Sequence, residues 1–128
     1  MRVPIVIMPV AFLALAASAS AADAAAGRAF FREVCTQCHT AEPTDGGGEM
    51  GPTLFSLFGR PAAVGDAAFP YSKALKESKL VWNAETLERF LANPMMTVPG
   101  TTMLMPVPEQ KDRENIIAYF QSLPGSTK

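Results

Sequence analysis

Apolar positions along this chain of 128 residues fall into one long uncharged run, from Val3 to Ala22, followed by shorter helical patterns separated by proline and glycine. From Asp23 to about Cys38, the residues Ala24, Ala25, Ala26, Arg28, Ala29, Phe30, Phe31 and Val34 predict a helix. Gly27 and Phe31 lie four apart and share a face. Glycine costs a helix about 1 kcal/mol relative to alanine, so its plainest use at 27 is to let a second helix approach closely. Pro43 and Gly46-Gly47-Gly48 then force a loop, and Pro52 to Phe58 predicts one short helical turn closed by Gly59. Ser72 is placed to cap a short helix over Lys73 to Glu77. Asn83 caps a clearer one carrying Leu87, Phe90 and Leu91, which Asn93-Pro94 ends. Residues 94–108 hold four prolines and one glycine, so nothing like a backbone ladder is expected there. The last helix, from about Glu109 to Ser122, presents Ile116, Tyr119, Phe120 and Leu123 on one side and stops at Pro124-Gly125. With no repeat, no strand-like alternation and no linker, the pattern predicts an all-α single domain.

The opening run changes the picture of where that domain works. One positive charge at Arg2, a short apolar core and the small-residue series Ala17-Ser18-Ala19-Ser20-Ala21 predict a secretory signal peptide over residues 1–21, cleaved after Ala19 or Ala21. An uncleaved anchor is the alternative, since about twenty uncharged residues just span a bilayer, although Pro4, Pro9 and the serine-alanine tail count against it. A mitochondrial transit peptide fits worse, with a single arginine and no basic amphipathic face. The expected product is a periplasmic domain, residues 22–128, whose own core would be thin. Removing Arg2 from the 11 basic residues leaves a net charge of about −2 against 12 acidic residues, a balance that attracts no nucleic acid.

The chemistry concentrates in Cys35-Thr36-Gln37-Cys38-His39. Cysteines three apart on a helical turn point in neighbouring directions, so both sulfurs reach the two vinyl groups of one haem while the adjacent imidazole meets the iron; the run reads as c-type haem attachment. A Cys-x-x-Cys disulfide or half of a zinc site would suit the two cysteines alone. Neither uses His39, and with 2 cysteines and 1 histidine in the chain there is no second pair to close a zinc site. If haem c takes both Cys35 and Cys38, the domain has no disulfide and the porphyrin is its main staple.

His39 being the only histidine, the sixth iron position falls to another residue type, to a small ligand, or to nothing. A methionine thioether opposite histidine is the pairing of electron carriers and raises the reduction potential, whereas an open site permits ligand binding or peroxidase-like chemistry. Met50, Met95, Met96, Met103 and Met105 remain after export. Met103 is the first candidate, because it follows Pro99-Gly100-Thr101-Thr102, a turn able to tip the backbone over a porphyrin. Met105, held extended before Pro106, is the second. Ordinary core packing is the commoner use of any methionine.

Gly27-x-x-x-Phe31, Cys35-x-x-Cys38-His39, Gly51-Pro52-x-Leu54, Gly59-Arg60, Phe69-x-Tyr71, Trp82, Asn93-Pro94, Pro99-Gly100-Thr101-x-Met103 and Ile117-Ala118-Tyr119 follow one another along the chain. In that order and at near-matching intervals they resemble a class I cytochrome c of the short mitochondrial and bacterial c2 type. The resemblance implies three main helices wrapped around a covalently attached haem c, with Gly27 and Phe31 packed against the last helix near Tyr119. It implies that His39 and Met103 ligate the iron and that the Pro52 carbonyl accepts the His39 Nδ1 proton. Arg60, Tyr71, Trp82 and Thr101 would hold the haem propionates, though Tyr71 and Trp82 also serve as core filling.

The implied function is a monomeric one-electron carrier and not an enzyme. Its donor would be a quinol-oxidising complex or a dehydrogenase, and its acceptor an oxidase or reaction centre. A dedicated electron-transfer subunit of a periplasmic dehydrogenase is the alternative. Two departures stand out. Leu75 occupies a place where the family often has an asparagine beside a buried water. Val34, Met95, Met96 and Thr102 stand where lysines often ring the haem edge, and the lysines sit mostly at Lys73, Lys76, Lys79 and Lys111. An apolar docking face with weak salt dependence is therefore expected, unless Met95 and Met96 pack inward.

Overall fold

Asp23 caps the first helix: its Oδ1 accepts the backbone N–H groups of Ala25 at 2.8 Å and Ala26 at 3.2 Å, satisfying donors that a helix start otherwise leaves unpaired. The computed structural model describes residues 21–45 and 48–126. The expected leader therefore lies outside the described residues except for Ala21, as do Gly46 and Gly47 of the glycine run. Helix α1 spans Ala24–Val34 and tightens into a 3-10 turn over Cys35–Gln37, where a single helix to about Cys38 was expected. The tightening comes where Cys38 and His39 both donate backbone N–H groups to the Cys35 carbonyl, at 3.0 and 2.8 Å.

Four more helices follow: α2 Lys73–Glu77, α3 Ala84–Ala92, α4 Pro94–Thr97 and α5 Gln110–Ser122. The caps expected for two of them are present. Ser72 Oγ accepts the Leu75 N–H at 3.1 Å, and Asn83 forms a reciprocal capping box with Thr86. Among the described residues the only β pairing is an isolated bridge between Pro61 and Val81.

The first and last helices cross at Gly27. A Cβ built there would stand 1.9 Å from the Asn115 carbonyl oxygen, so only glycine lets α1 and α5 meet at this distance. At the end of the crossing, Asp23 N–H donates to Asn115 Oδ1 at 2.8 Å. Phe31 packs with its ring centroid 5.7 Å from those of both Tyr119 and Phe120, and Phe31, Ile116 and Tyr119 are the largest fully enclosed side chains. Leu87, Phe90 and Leu91 bring α3 onto the same core, with Trp82 edge-on to Phe90 at 5.1 Å.

Two segments differ from the sequence expectation. No helical turn forms over Pro52–Phe58, because its N–H groups are drawn elsewhere: Thr53 to Asp66 Oδ2, Leu54 to the Thr40 carbonyl and Phe55 to Thr53 Oγ1. Within the proline-rich stretch, Pro94–Thr97 does form one turn of helix. Pro94 sits where a missing N–H costs nothing, and Asn93 Oδ1 caps the turn through Met96 N–H at 3.1 Å. The rest of that stretch is held by single bonds, such as Thr101 N–H to Val98 carbonyl at 3.0 Å and Val107 N–H to Leu91 carbonyl at 2.8 Å. Arg113 closes its far end, donating to the Val107 and Pro108 carbonyls and to Glu88.

Candidate haem site

The 3-10 turn leaves Cys35 and Cys38 half-buried, four residues and one residue ahead of His39, with neither joined in a disulfide. Burial, and behind it the proximity of Cys38, pushes the Cys35 thiol up to about 11. A metal-binding thiolate needs the opposite shift. Among the described residues no group of three or more His, Cys, Asp or Glu side chains is placed to hold a metal ion. A thiol held protonated by burial, as that of Cys35 is, suits a thioether bond to a porphyrin better than zinc.

His39 is fixed from two sides. Its Nδ1 lies 2.8 Å from the Pro52 carbonyl, which can only accept, so the proton sits on Nδ1 and Nε2 is the nitrogen left for a ligand bond. Against one face of the ring lies Gly51, where any Cβ would come within 2.5 Å of Cε1. Residues 51–54 are laced to 38–40 by Gly51 N–H to Cys38 carbonyl at 2.8 Å and Leu54 N–H to Thr40 carbonyl at 2.6 Å. Burial pushes the imidazole pKa down, and the Pro52 carbonyl works against that shift. The ring is thereby kept in the neutral form that binds iron, with an outer partner that raises its basicity.

Of the two candidate methionine ligands, Met103 is half-buried against the core, whereas Met105 is 59% exposed. Gly100, at φ +92°, makes the turn before it, with Ala74 Cβ only 3.1 Å from where a side chain would begin. Thr101 is 6% exposed and its Oγ1 accepts the Met103 N–H at 3.4 Å.

The structure brings Arg60, Tyr71 and Trp82 together. The Arg60 carbonyl accepts the Trp82 N–H at 3.0 Å, and Gly59 N–H returns to the Trp82 carbonyl at 2.8 Å. The Arg60 guanidinium is partly spent on this chain's own carbonyls, Nη1 on Phe55 at 2.7 Å and Nη2 on Thr53 at 3.3 Å, while its Nε is buried with no partner. Burial lowers the Arg60 pKa, and the nearby Tyr71 and Asp66 oppose that shift. Tyr71 is half-buried with its pKa pushed up, chiefly by burial, and stands edge-on to Phe69 at 5.1 Å.

Asp66 was not singled out by sequence reasoning. Its Oδ2 accepts the Thr53 N–H at 3.3 Å and its Oδ1 the Ala68 N–H at 3.2 Å. The only signal available was an Asp two residues ahead of a loop N–H, the ordinary Asx-turn pattern. Asp45 escaped notice in the same way. Its buried carboxylate accepts the Ala41 and Glu42 N–H groups at 2.7 and 2.8 Å, holding the chain just beyond His39.

The residues present fit haem c: two free thiols, a neutral imidazole with Nε2 to spare, and a buried arginine donor lacking an acceptor. Residues 24–124 match the Cytochrome c family. The chain belongs to it. This cytochrome c is therefore an electron carrier whose haem c is bound covalently at Cys35 and Cys38. It is 41% identical to a cytochrome c of Chlamydomonas reinhardtii over 82% of its own length and 93% of the relative's. To the cytochrome c-type cyt cy of Rhodobacter capsulatus it is 37% identical, over 91% of this chain and 57% of that one. Cytochrome cH from Methylobacterium extorquens superimposes with a TM-score of 0.69 at 39% identity, covering 78% of this chain and 98% of that one.

Of the two departures, Leu75 is half-buried and packs against the apolar core. Met95 and Met96 face outward, 45% and 78% exposed, so they do not pack inward. No helix among the described residues is long and apolar enough to cross a membrane.

Proposed function

We propose that this cytochrome c shuttles single electrons between protein partners in a periplasmic compartment, its iron held between His39 Nε2 and Met103 Sδ. The observation that carries the reading is the His39–Pro52 bond, which commits Nδ1 and leaves Nε2 free in the residue next to Cys38. Half-burial supports Met103 over the exposed Met105. When bound, haem c supplies a ferric–ferrous couple. The protein's part is to orient the imidazole through Pro52, to fix the Met103 loop through Gly100 and Thr101, and to meet the propionates with Arg60, Tyr71, Trp82 and Thr101. No side chain has to act as acid, base or nucleophile. Export is supported by the uncharged run from Val3 to Ala22 and its small-residue end.

Residues 93–108 carry no charge, and within them Met96, Leu104 and Met105 are 78%, 65% and 59% exposed. That surface complements an uncharged, apolar patch on the redox partner. It also favours a second reading, a dedicated subunit of a dehydrogenase complex, since permanent interfaces are the more hydrophobic ones; co-purification separates the two. The ligand assignment is tested by the absorption spectrum of the oxidised protein. The sulfur–iron charge-transfer band should vanish in Met103→Ala and persist in Met105→Ala. The reverse pattern would reassign the ligand to Met105.

A further inference from the structure

Arg60 is a half-buried charged side chain whose Nε is closed off from solvent. Gly65, at φ +116°, lies flat over the guanidinium, and a Cβ there would come within 2.2 Å of Cζ. Two carbonyls, those of Phe55 and Thr53, take its Nη groups. The next residue, Asp66, accepts the N–H of the same Thr53 whose carbonyl accepts from Arg60, so Thr53 ties the carboxylate and the guanidinium to one residue. The loop is curled so that Asp66 also takes Ala68 N–H, while its carbonyl takes Phe69 N–H at 3.2 Å. A buried cation needs compensation, and Asp66 is the formal negative charge acting on Arg60. What remains is Nε, buried and without an acceptor. A propionate carboxylate is the kind of group such a donor binds.

We infer that Asp66 is a positioning residue for Arg60 and a fixed negative charge at the propionate edge of the haem, and that it holds the reduction potential of this cytochrome c down. The inference rests on the reading of Arg60 as a propionate partner. Asp66 acts on the Arg60 charge through space, without a direct ion pair, so Arg60 does not fully offset both Asp66 and a propionate. The ferric form, with one more positive charge than the ferrous, gains from the surplus carboxylate. Removing that charge favours uptake of the electron.

The test is a redox titration of the haem-bearing protein with Asp66→Asn and Asp66→Ser, which keep an acceptor for the loop N–H groups but no charge, and with Asp66→Glu, which keeps the charge. At a fixed solution potential the neutral variants should show a ratio of reduced to oxidised protein about three- to tenfold above the parent, the scale of one unit charge acting through a partly solvated region. Asp66→Glu should stay within about twofold of the parent. Arg60→Gln, titrated in parallel, should move the ratio the other way. An unchanged ratio in both neutral variants while Arg60→Gln shifts it would overturn the role of Asp66 and leave the propionate reading standing. No shift in any variant would sink the propionate reading itself. If neither neutral variant retains haem while Asp66→Glu does, Asp66 is a structural residue and the tuning role is rejected.

Discussion

Glu42 links three parts of the chain with one carboxylate. It accepts the Tyr119 hydroxyl from α5 at 2.6 Å, and the Arg28 Nε and Nη2 from α1 at 3.0 and 3.2 Å, while itself lying three residues beyond His39. The Tyr119 hydroxyl first, and Arg28 after it, hold its carboxyl below the usual carboxylate range. A carboxyl depressed in the folded state stabilises the fold above its unfolded pKa of about 4.3. That contribution is lost as pH falls through the lower, folded value. Glu42→Gln should therefore cost about 1 kcal/mol at neutral pH and nothing once the parent carboxyl is protonated. Urea unfolding curves taken from pH 7 down to about pH 2.5 should converge; parallel curves would show that the charge is irrelevant. Neither this cluster nor the tie of Asp66 and Arg60 to Thr53 was legible beforehand, because each joins residues from separate segments whose pairing follows from the fold. The Cys35–His39 unit was legible, because its chemistry is complete within five neighbouring residues.

For the helices, local signals sufficed where the capping group and the apolar stripe lay within one element, as with Asn83 and α3 or Ser72 and α2. They failed over Pro52–Phe58, where partners from Thr40 and Asp66 outbid an internal turn. They failed again at Pro94–Thr97, where a proline counted as a breaker served as the first residue of a helix. The crossing of α1 and α5 was foreseen from Gly27, and the structure adds its tightness. Gly27→Ala pushes a Cβ into the Asn115 peptide, backbone against backbone, so no rotamer change relieves it. It should destabilise by about 3 kcal/mol, the upper range for overpacking. An alanine in place of an exposed helical glycine would ordinarily stabilise. Thermal unfolding of the holoprotein measures it, and an unchanged midpoint would mean that the helices separate freely.

At the scale of the whole molecule, two surface regions contrast in charge. Lys73, Lys76 and Lys79 are exposed on and just after α2, while the segment carrying Met103 is uncharged and exposes Met96, Leu104 and Met105. Association through that segment gains from burying apolar area, which salt does not screen, so electrostatic steering contributes little. Stopped-flow reduction by the natural partner should change less than about threefold between 0.05 and 0.5 M salt, against the steep fall expected of steered basic surfaces. A fall of tenfold or more would place the docking surface on the α2 lysines instead.

Haem attachment, the helical class and most helix limits were determined by residue types at short spacing, because thioether geometry, capping and the 3.6-residue period all act within a few positions. The tertiary structure decided which methionine is sheltered and which exposed. It also decided which carboxylates stand beside Arg28 and Arg60. Those outcomes depend on distances between segments far apart in sequence, and such distances exist only once the chain has closed on itself.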